Sequence, residues 1–204
     1  MLHNTCCIFF FRGDLMPPKP KYTKEEIVSA AFSLVREKGE EALTARELAQ
    51  RLCTSPRPIF TAFENMDALR GEVIKRCEQT YDSFIEQERQ SGLYPEYKAM
   101  GMAYIRLARQ EKNIFRLLFM RDTSGERPSD ASFIRATDLI SDMLSLDSDR
   151  AKKLHFEVWV WVHGIASMLA TSYLDIDFET VSSMLTDVYI SLRERIVNER
   201  DNKN

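Results

Sequence analysis

Residues Thr44 to Phe63 read TARELAQRLCTSPRPIFTAF, and the fold turns on how that stretch is parsed. Thr44 and Glu47 have the spacing of a capping box, and Leu43 and Leu48 that of a hydrophobic staple. Ala45, Leu48, Ala49 and Leu52 then recur at helical intervals. After a three-residue turn, Ser55 is placed to cap a second helix. Pro56 would hold its first position, where a missing N–H costs nothing. Pro58 falls at the third position, still among the N–H groups that no helix pairs. Ile59 and Phe63 would face inward, while Arg57 and Thr61, also four apart, would face outward. The expectation is a helix-turn-helix whose second helix enters the major groove of DNA, with Arg57 in its first turn. A solvated surface arginine is the plainer alternative for Arg57.

Upstream, Thr23 and Glu26 repeat the capping box, and Ile27, Ala30, Ala31 and Leu34 form an apolar stripe. Gly39 is a natural stop behind Arg36 and Lys38. The preceding PPKPKYTK carries Lys19, Lys21 and Lys24. It reads either as an extended basic arm along the phosphates or as a solvated tail. Residues 1–15, MLHNTCCIFFFRGDL, differ in character from the rest of the chain. Their apolar run is too short for a membrane span or a signal-peptide core. Met16 opens a sensible start, so these residues are expected to reflect an upstream start codon or a disordered tail.

Downstream the pattern is helical throughout. Asn65 can cap a long helix carrying Leu69, Val73, Cys77 and Phe84, closed by Ser91-Gly92. Pro95 opens another helix, to about Gln110, with Met100, Tyr104 and Leu107 on one side. NIFRLLFMR (113–121) is short and very apolar, and Asp122 to Asp130 is the clearest loop. A helix to about Leu146 and two long ones, near 148–173 and 178–199, complete the chain. In the last of these, Val181, Leu185, Val188, Leu192 and Ile196 make a stripe. Such a stripe can pack within the chain or join a second copy in a four-helix bundle.

Composition narrows the function classes. The hydrophobic content of 44% is ample for a core, and only 7 glycines argue against a turn-rich β fold. The net charge is −3, and residues 16–65 hold 8 basic against 7 acidic side chains. So near-neutral a reader makes the motif, not bulk charge, the argument for DNA. Cys6, Cys7, Cys53 and Cys77 match no zinc or iron–sulfur spacing, so no metal and no cofactor is expected. Cys53, in the turn, could be a redox switch or simply a small residue that fills it. No nucleophile–base pair or phosphate loop is visible, and the chain is not expected to be an enzyme. With no export signal, the cytoplasm is the expected compartment.

From about Thr23 to Leu69 the sequence resembles the DNA-binding domain of the tetracycline-repressor (TetR) family of bacterial regulators. The resemblance rests on Ala30-Ala31, Gly39, Thr44, Ala49, Ser55, Ile59-Phe60, Phe63 and Leu69. Cys53 stands where the family usually has a turn glycine, Phe60 replaces a tyrosine, Ala62 a histidine or tyrosine, and Met66 a phosphate-touching lysine. Arg57 and Pro58 replace smaller residues. These departures imply fewer phosphate contacts and an uncommon operator. In WVWVHGIASM (159–168), Trp159, His163 and Gly164 are similar to a tryptophan–histidine–glycine signature in one group of TetR-like C-terminal domains.

The resemblance implies an all-α protein of about nine helices, with a three-helix DNA-binding domain followed by a larger effector-binding and dimerisation domain. The expected division is a tail with the basic arm at 1–19, the DNA-binding domain at 20–68 and the C-terminal domain at 69–200. The implied function is a dimeric, ligand-responsive repressor on a pseudo-palindromic operator. An effector-independent architectural or division-control DNA-binding protein is the alternative. The candidate DNA contacts are Lys21, Thr44, Ala45, Arg46, Thr54, Ser55, Pro56, Arg57, Pro58, Phe60 and Thr61. Tyr104, Phe115, Phe119, Trp159, His163 and Met168 are candidates for binding a small-molecule effector, with Met100 beside them. His163 can equally be a satisfied core residue, and most of the others simply core. The implied dimer interface is Val181, Leu185, Val188, Leu192 and Ile196.

Overall fold

Nine α-helices and one 3-10 turn make up the regular structure in the computed structural model, which describes residues 22–122 and 131–201. The amino-terminal tail, Lys21 and all but the first residue of the Asp122–Asp130 loop lie outside the described residues. The all-α expectation holds, and among the described residues there is no strand.

Helix α1 (Lys24–Lys38) begins at a complete capping box. The Thr23 hydroxyl accepts from the Glu26 N–H while the Glu26 carboxylate accepts from the Thr23 N–H. A 3-10 turn (Glu40–Ala42) leads to α2 (Ala45–Arg51) and α3 (Arg57–Ala62). At six residues α3 is too short to stand alone. It is held by Ile59, fully buried, and Phe63 just beyond its end, in one core with Leu48, Leu34 and Ile27. Each such side chain contributes roughly 1.5–3 kcal/mol, more than an exposed ion pair supplies.

Helix α4 (Met66–Ser91) starts where Asn65 Oδ1 accepts from the Ala68 N–H at 2.8 Å, and stops at Gly92, which is left-handed with φ 65°. It runs from the small domain into the body. There α5 (Glu96–Gln110) is the central element, packed against α4, α6 (Lys112–Phe119) and α8 (Ser148–Ala170). Nine of its residues are buried, Tyr97 through Ala108. α7 (Ala131–Leu144) lies on α8, and α9 (Phe178–Asp201) closes the body against α8 and α5. The sequence pattern extends α8 to Tyr173. The helix ends earlier because Ser172 turns left-handed at φ 59°, leaving Tyr173 exposed.

Helix α6 makes contacts to both the small domain and the rest of the body. Arg36 of α1 pairs with Glu111 at the start of α6, and Asn113 Nδ2 donates to the Arg36 carbonyl at 3.0 Å. At the other end of α6, Arg116 donates to the Ala170 carbonyl of α8 at 2.7 Å. Helix α6 therefore bridges α1 and the end of α8.

The interface expected from the α9 stripe needs correction. Val181, Leu185 and Ile196 are buried inside the single chain, and Leu192 packs against the same core. That stripe is the inward face of α9, because a periodic apolar face is first used to cover the chain's own core. Of the five, Val188 is half-buried without belonging to that core. The exposed apolar residues of this region are Phe156, Trp159 and Val160 on α8 and Met184 and Ile190 on α9. Gly164, in the middle of α8, has open space beside it. No helix of the same chain approaches it, and an added Cβ would meet nothing within 4 Å. It lies at intervals of four beyond Phe156 and Val160, on the outer side of α8.

Candidate functional site

Thr44, at the head of α2, accepts from the Glu47 N–H at 3.2 Å. The reciprocal half of the expected capping box is absent, since the Glu47 carboxylate is drawn instead to Lys38 at 3.1 Å. The end of α2 is a Schellman turn. The Thr54 N–H reaches the Ala49 carbonyl at 2.9 Å, and the Cys53 N–H reaches that of Gln50 at 3.1 Å. This pattern forces a left-handed residue, and Cys53 adopts φ 50° there. A β-carbon in that region is strained, which is why glycine is favoured at such a position.

Ser55 does not cap α3. Pro56 occupies the cap with φ −64°, its carbonyl accepts from the Ile59 N–H at 3.0 Å, and Pro58 is the second helical residue. The shift of one residue costs no hydrogen bond, because neither proline has a donor to satisfy. Arg57 is helical despite preceding Pro58.

Thr44, Arg46, Ser55, Pro56, Arg57, Phe60 and Thr61 are exposed, with Ala45, Thr54 and Pro58 partly so. The described members of the candidate DNA-contact set thus share the α2–turn–α3 surface; Lys21 lies outside the described residues. Arg57, Pro58 and Thr61 also line a cleft with Tyr22, Lys24 and Ser55, where the α1 start meets α3. The Thr61 hydroxyl donates back to the Arg57 carbonyl at 2.9 Å, leaving its lone pairs outward.

Charge pairing distinguishes the basic residues here. Arg51 holds Glu37 through two bonds of 2.8 and 2.6 Å, Lys38 holds Glu47, Arg70 holds Glu40, and Arg76 holds Glu25. Among the described residues Arg46 and Arg57 have no such acidic partner. The near-neutral total of this domain therefore conceals two uncompensated guanidinium groups at the tip.

The body contains a cavity of about 480 Å³ walled by α4 through α9. Tyr104, Phe119, Trp159 and Met100 of the expected effector set line it. The other three do not. Phe115 is fully buried behind Tyr104, with ring centroids 5.1 Å apart. His163 stands behind the wall, its Nδ1 hydrogen-bonded to the Tyr104 hydroxyl at 2.8 Å and its ring stacked on Trp159 at 5.1 Å. It is a satisfied histidine that positions two lining rings, and burial lowers its pKa. Met168 lies toward the end of α8 and packs into the core, because its helical angle points away from the cavity.

Sequence reading missed Tyr97, His155, Lys98, Phe133, Thr186 and Tyr189, which also form the walls. His155 Nδ1 and the Tyr97 hydroxyl are hydrogen-bonded at 3.0 Å, and the Phe133 ring lies 4.7 Å from the imidazole. Burial pushes His155 down to about 4 and Tyr97 well above the usual tyrosine range. Lys98 Nζ donates to Thr186 Oγ1 at 2.7 Å and sits 5.0 Å from the Tyr94 ring centroid. Gly101 marks where α5, α8 and α9 converge; a Cβ there would stand 3.2 Å from Leu185.

Two family models match the chain in order. Residues 27–73 match the bacterial regulatory proteins of the tetR family, and residues 97–188 match a tetracyclin repressor-like C-terminal domain. The uncharacterised HTH-type transcriptional regulator YvkB of Bacillus subtilis (strain 168) is 27% identical over 97 residues, 48% of this chain and 51% of that protein. The match thus spans about half the length of that relative. The crystal structure of a TetR-like transcriptional regulator from Rhodococcus sp. RHA1 superposes with a TM-score of 0.58 at 14% identity, covering 86% of this chain and 96% of the other. That likeness is one of fold. Among the described residues no helix is long and apolar enough to cross a membrane. The helix-turn-helix at one end and the repressor-like body at the other both match TetR-type models, in the family's order, and the chain belongs to the TetR family of bacterial regulatory proteins.

Proposed function

We propose that the protein is a ligand-responsive repressor that binds a pseudo-palindromic operator as a dimer. The observation that carries the reading is the pair of uncompensated arginines, Arg46 and Arg57, on the exposed α2–α3 tip, while Lys38, Arg51, Arg70 and Arg76 of the same domain and its border are each paired with a glutamate. A free guanidinium in the first turn of a reader helix can hold a guanine edge or a phosphate without first breaking an ion pair. Thr44, Ser55, Phe60 and Thr61 surround it as phosphate, sugar and thymine-methyl contacts.

The second copy is proposed to dock on the outer side of α8 and α9, through Phe156, Val160, Gly164, Met184 and Val188. The missing side chain of Gly164 would let two α8 helices approach closely. The Trp159–His163 stack and this outward glycine also support the finer likeness to the tryptophan–histidine–glycine group. The response to effector runs through α6. Its Phe119 faces the cavity, while Glu111 and Asn113 at its start hold α1. An effector that binds better to one placement of α6 would shift the spacing of the two reader helices; equal affinity for both placements would shift nothing.

Footprinting of the purified protein on the DNA flanking its own gene tests this reading. A protected pseudo-palindrome, bound by two protomers, is the expected outcome. Protection of an asymmetric site by one protomer, or indiscriminate coating, would remove the dimeric operator reading. The same complex then reports effectors by their ability to release it.

A further inference from the structure

The cavity walls carry a charge asymmetry that bears on what can enter. Among the described residues that line it, Lys98 alone is a lysine, arginine, aspartate or glutamate. The remaining walls are largely aromatic, and His155 is neutral because burial holds it to about 4. Burial also lowers the pKa of Lys98, with no carboxylate acting against that shift. An ammonium has three donors. One goes to Thr186 Oγ1, whose own proton goes to the Ser182 carbonyl at 3.0 Å. The cavity side of Lys98 therefore retains donors that no described carboxylate takes up.

A second donor lines the same cavity. Tyr189 is three residues beyond Thr186 on α9, and its ring centroid is 5.7 Å from that of Tyr97, the neighbour of Lys98. The Tyr189 hydroxyl is shielded from solvent and finds no hydrogen-bond partner among the described residues. A buried unpaired hydroxyl and an ammonium without a described carboxylate, on the walls of one cavity, are costly in the free protein, and one ligand group could relieve both.

On the reading of this cavity as the effector site, we propose that it takes an amphipathic organic anion, a carboxylate on an aromatic or alkyl skeleton. The carboxylate sits against Lys98 Nζ and Tyr189 Oη, and the skeleton lies among Tyr97, Phe119, Phe133 and Trp159. A cationic ligand would gain ring-face attraction from the same aromatics. It would also meet the ammonium of Lys98 with no counter-charge among the described lining residues, and that repulsion decides against it. A neutral apolar molecule would leave the Tyr189 hydroxyl and the spare lysine donors unpaired.

The test uses the full chain without DNA, by calorimetry and thermal shift. The probes are 1-naphthylacetate, 4-phenylbutyrate and decanoate, each beside its primary amide and its equal-length amine. At least one acid should bind, on the order of tenfold tighter than its amide, as a charge-assisted hydrogen bond requires. The amine should be the weakest of the set. Lys98→Met should close the gap between acid and amide while leaving amide binding in place, and Lys98→Arg should keep the gap open. Tyr189→Phe should weaken the acid several-fold with little effect on the amine. Amides that equal their acids, amines that bind best, a gap that survives Lys98→Met, or no binding by any compound would each overturn the proposal. Failure of the regulatory reading looks different. An acid that binds but leaves the protein–DNA complex intact retains the anion site and removes its effector role. Release of DNA by a neutral or cationic compound alone does the reverse.

Discussion

Between Thr44 and Phe63 the contacts that set the backbone lie within a few residues of each other, whereas the cavity draws its walls from six helices between Tyr81 and Ile190. The reader tip is exposed, and its hydroxyls, turn and prolines answer to their immediate neighbours. The cavity is buried, and those of its polar groups that are paired find partners across 58 to 88 residues of chain, as in Tyr97–His155, Tyr104–His163 and Lys98–Thr186. The two regions therefore differ in what a substitution reaches. At the tip a side chain can be changed with little consequence for the fold. In the body the same change alters walls that several helices share, and a second copy is proposed to lean on the outside of two of them.

The largest expected effect probes that outer side. Val160 is half exposed on α8, so Val160→Arg should leave the single chain folded. Docking of a second copy would bury the new charge at a cost of several kcal/mol. Light scattering should show a monomer, and operator affinity should fall on the order of a hundredfold as the linkage of two half-site contacts is lost. An unchanged dimer would move the interface off α8 and leave the tip as the only region with an assigned contact surface.

Two arginines of the small domain sharpen the contrast. Arg57→Ala should weaken specific binding by about 1–3 kcal/mol if Arg57 reads a base. Arg51→Ala should cost less than about 1 kcal/mol in either binding or stability, since Arg51 forms an exposed ion pair with Glu37. Titration of both variants against operator and scrambled DNA separates the cases. Equal losses, or an unaltered sequence preference in Arg57→Ala, would mean that freedom from a partner does not mark the reading residue.

Legibility in the sequence divides along the same line. The helix starts at Thr23, Thr44 and Asn65 were legible because a cap and its N–H lie three residues apart. The stop at Gly92 was legible for a similar reason. Ser55 was misjudged because two prolines left the α3 start free to slide by one residue. Trp159 and Tyr104, which line the cavity, were among the candidates reached through the family resemblance and residue type, but Lys98 and Tyr189 were not. No local pattern announces that a lysine will lack a carboxylate partner or that a tyrosine hydroxyl will be shut away from water. Most of the α9 stripe turned out to cover the chain's own core for a related reason. A period of 3.6 identifies an apolar face, but not whether it covers its own chain or another.

Acid should act on the two regions in different windows. Burial holds His155 at about 4, below its ordinary 6.5, so the unfolded chain binds the extra proton between those values. The contribution is whole above about pH 6.5 and is lost as pH falls toward about 4, amounting to about 2 kcal/mol after allowance for partial exposure. In the small domain Glu26 and Glu37 are held below the ordinary 4.5, by the Thr23 hydrogen bonds and by Arg51. Their contribution stays until pH drops through the carboxylate range. Denaturant melts at about pH 7, 5.5 and 4.5 should therefore show a slope that His155→Gln reduces, the buried His163 adding a part of the same sign. A slope unaffected by that change would mean the imidazole is hydrated in the folded protein.

The smallest expected effect concerns the turn between α2 and α3. Cys53 is left-handed because the Schellman turn needs that geometry to aim α3 away from α2. A Cβ there costs roughly 1–2 kcal/mol, and glycine recovers part of it while losing more entropy on folding. Cys53→Gly should thus raise stability by about 0.5–1 kcal/mol, and Cys53→Val should lower it by a similar amount or more. Neither exposed substitution removes a contact from α3, so operator preference should not change. A Cys53→Gly protein that is no more stable, yet binds a different set of operators, would show the opposite: that strain in the turn tunes how Arg57 is presented, and that the tip is less self-contained than its local hydrogen bonds imply.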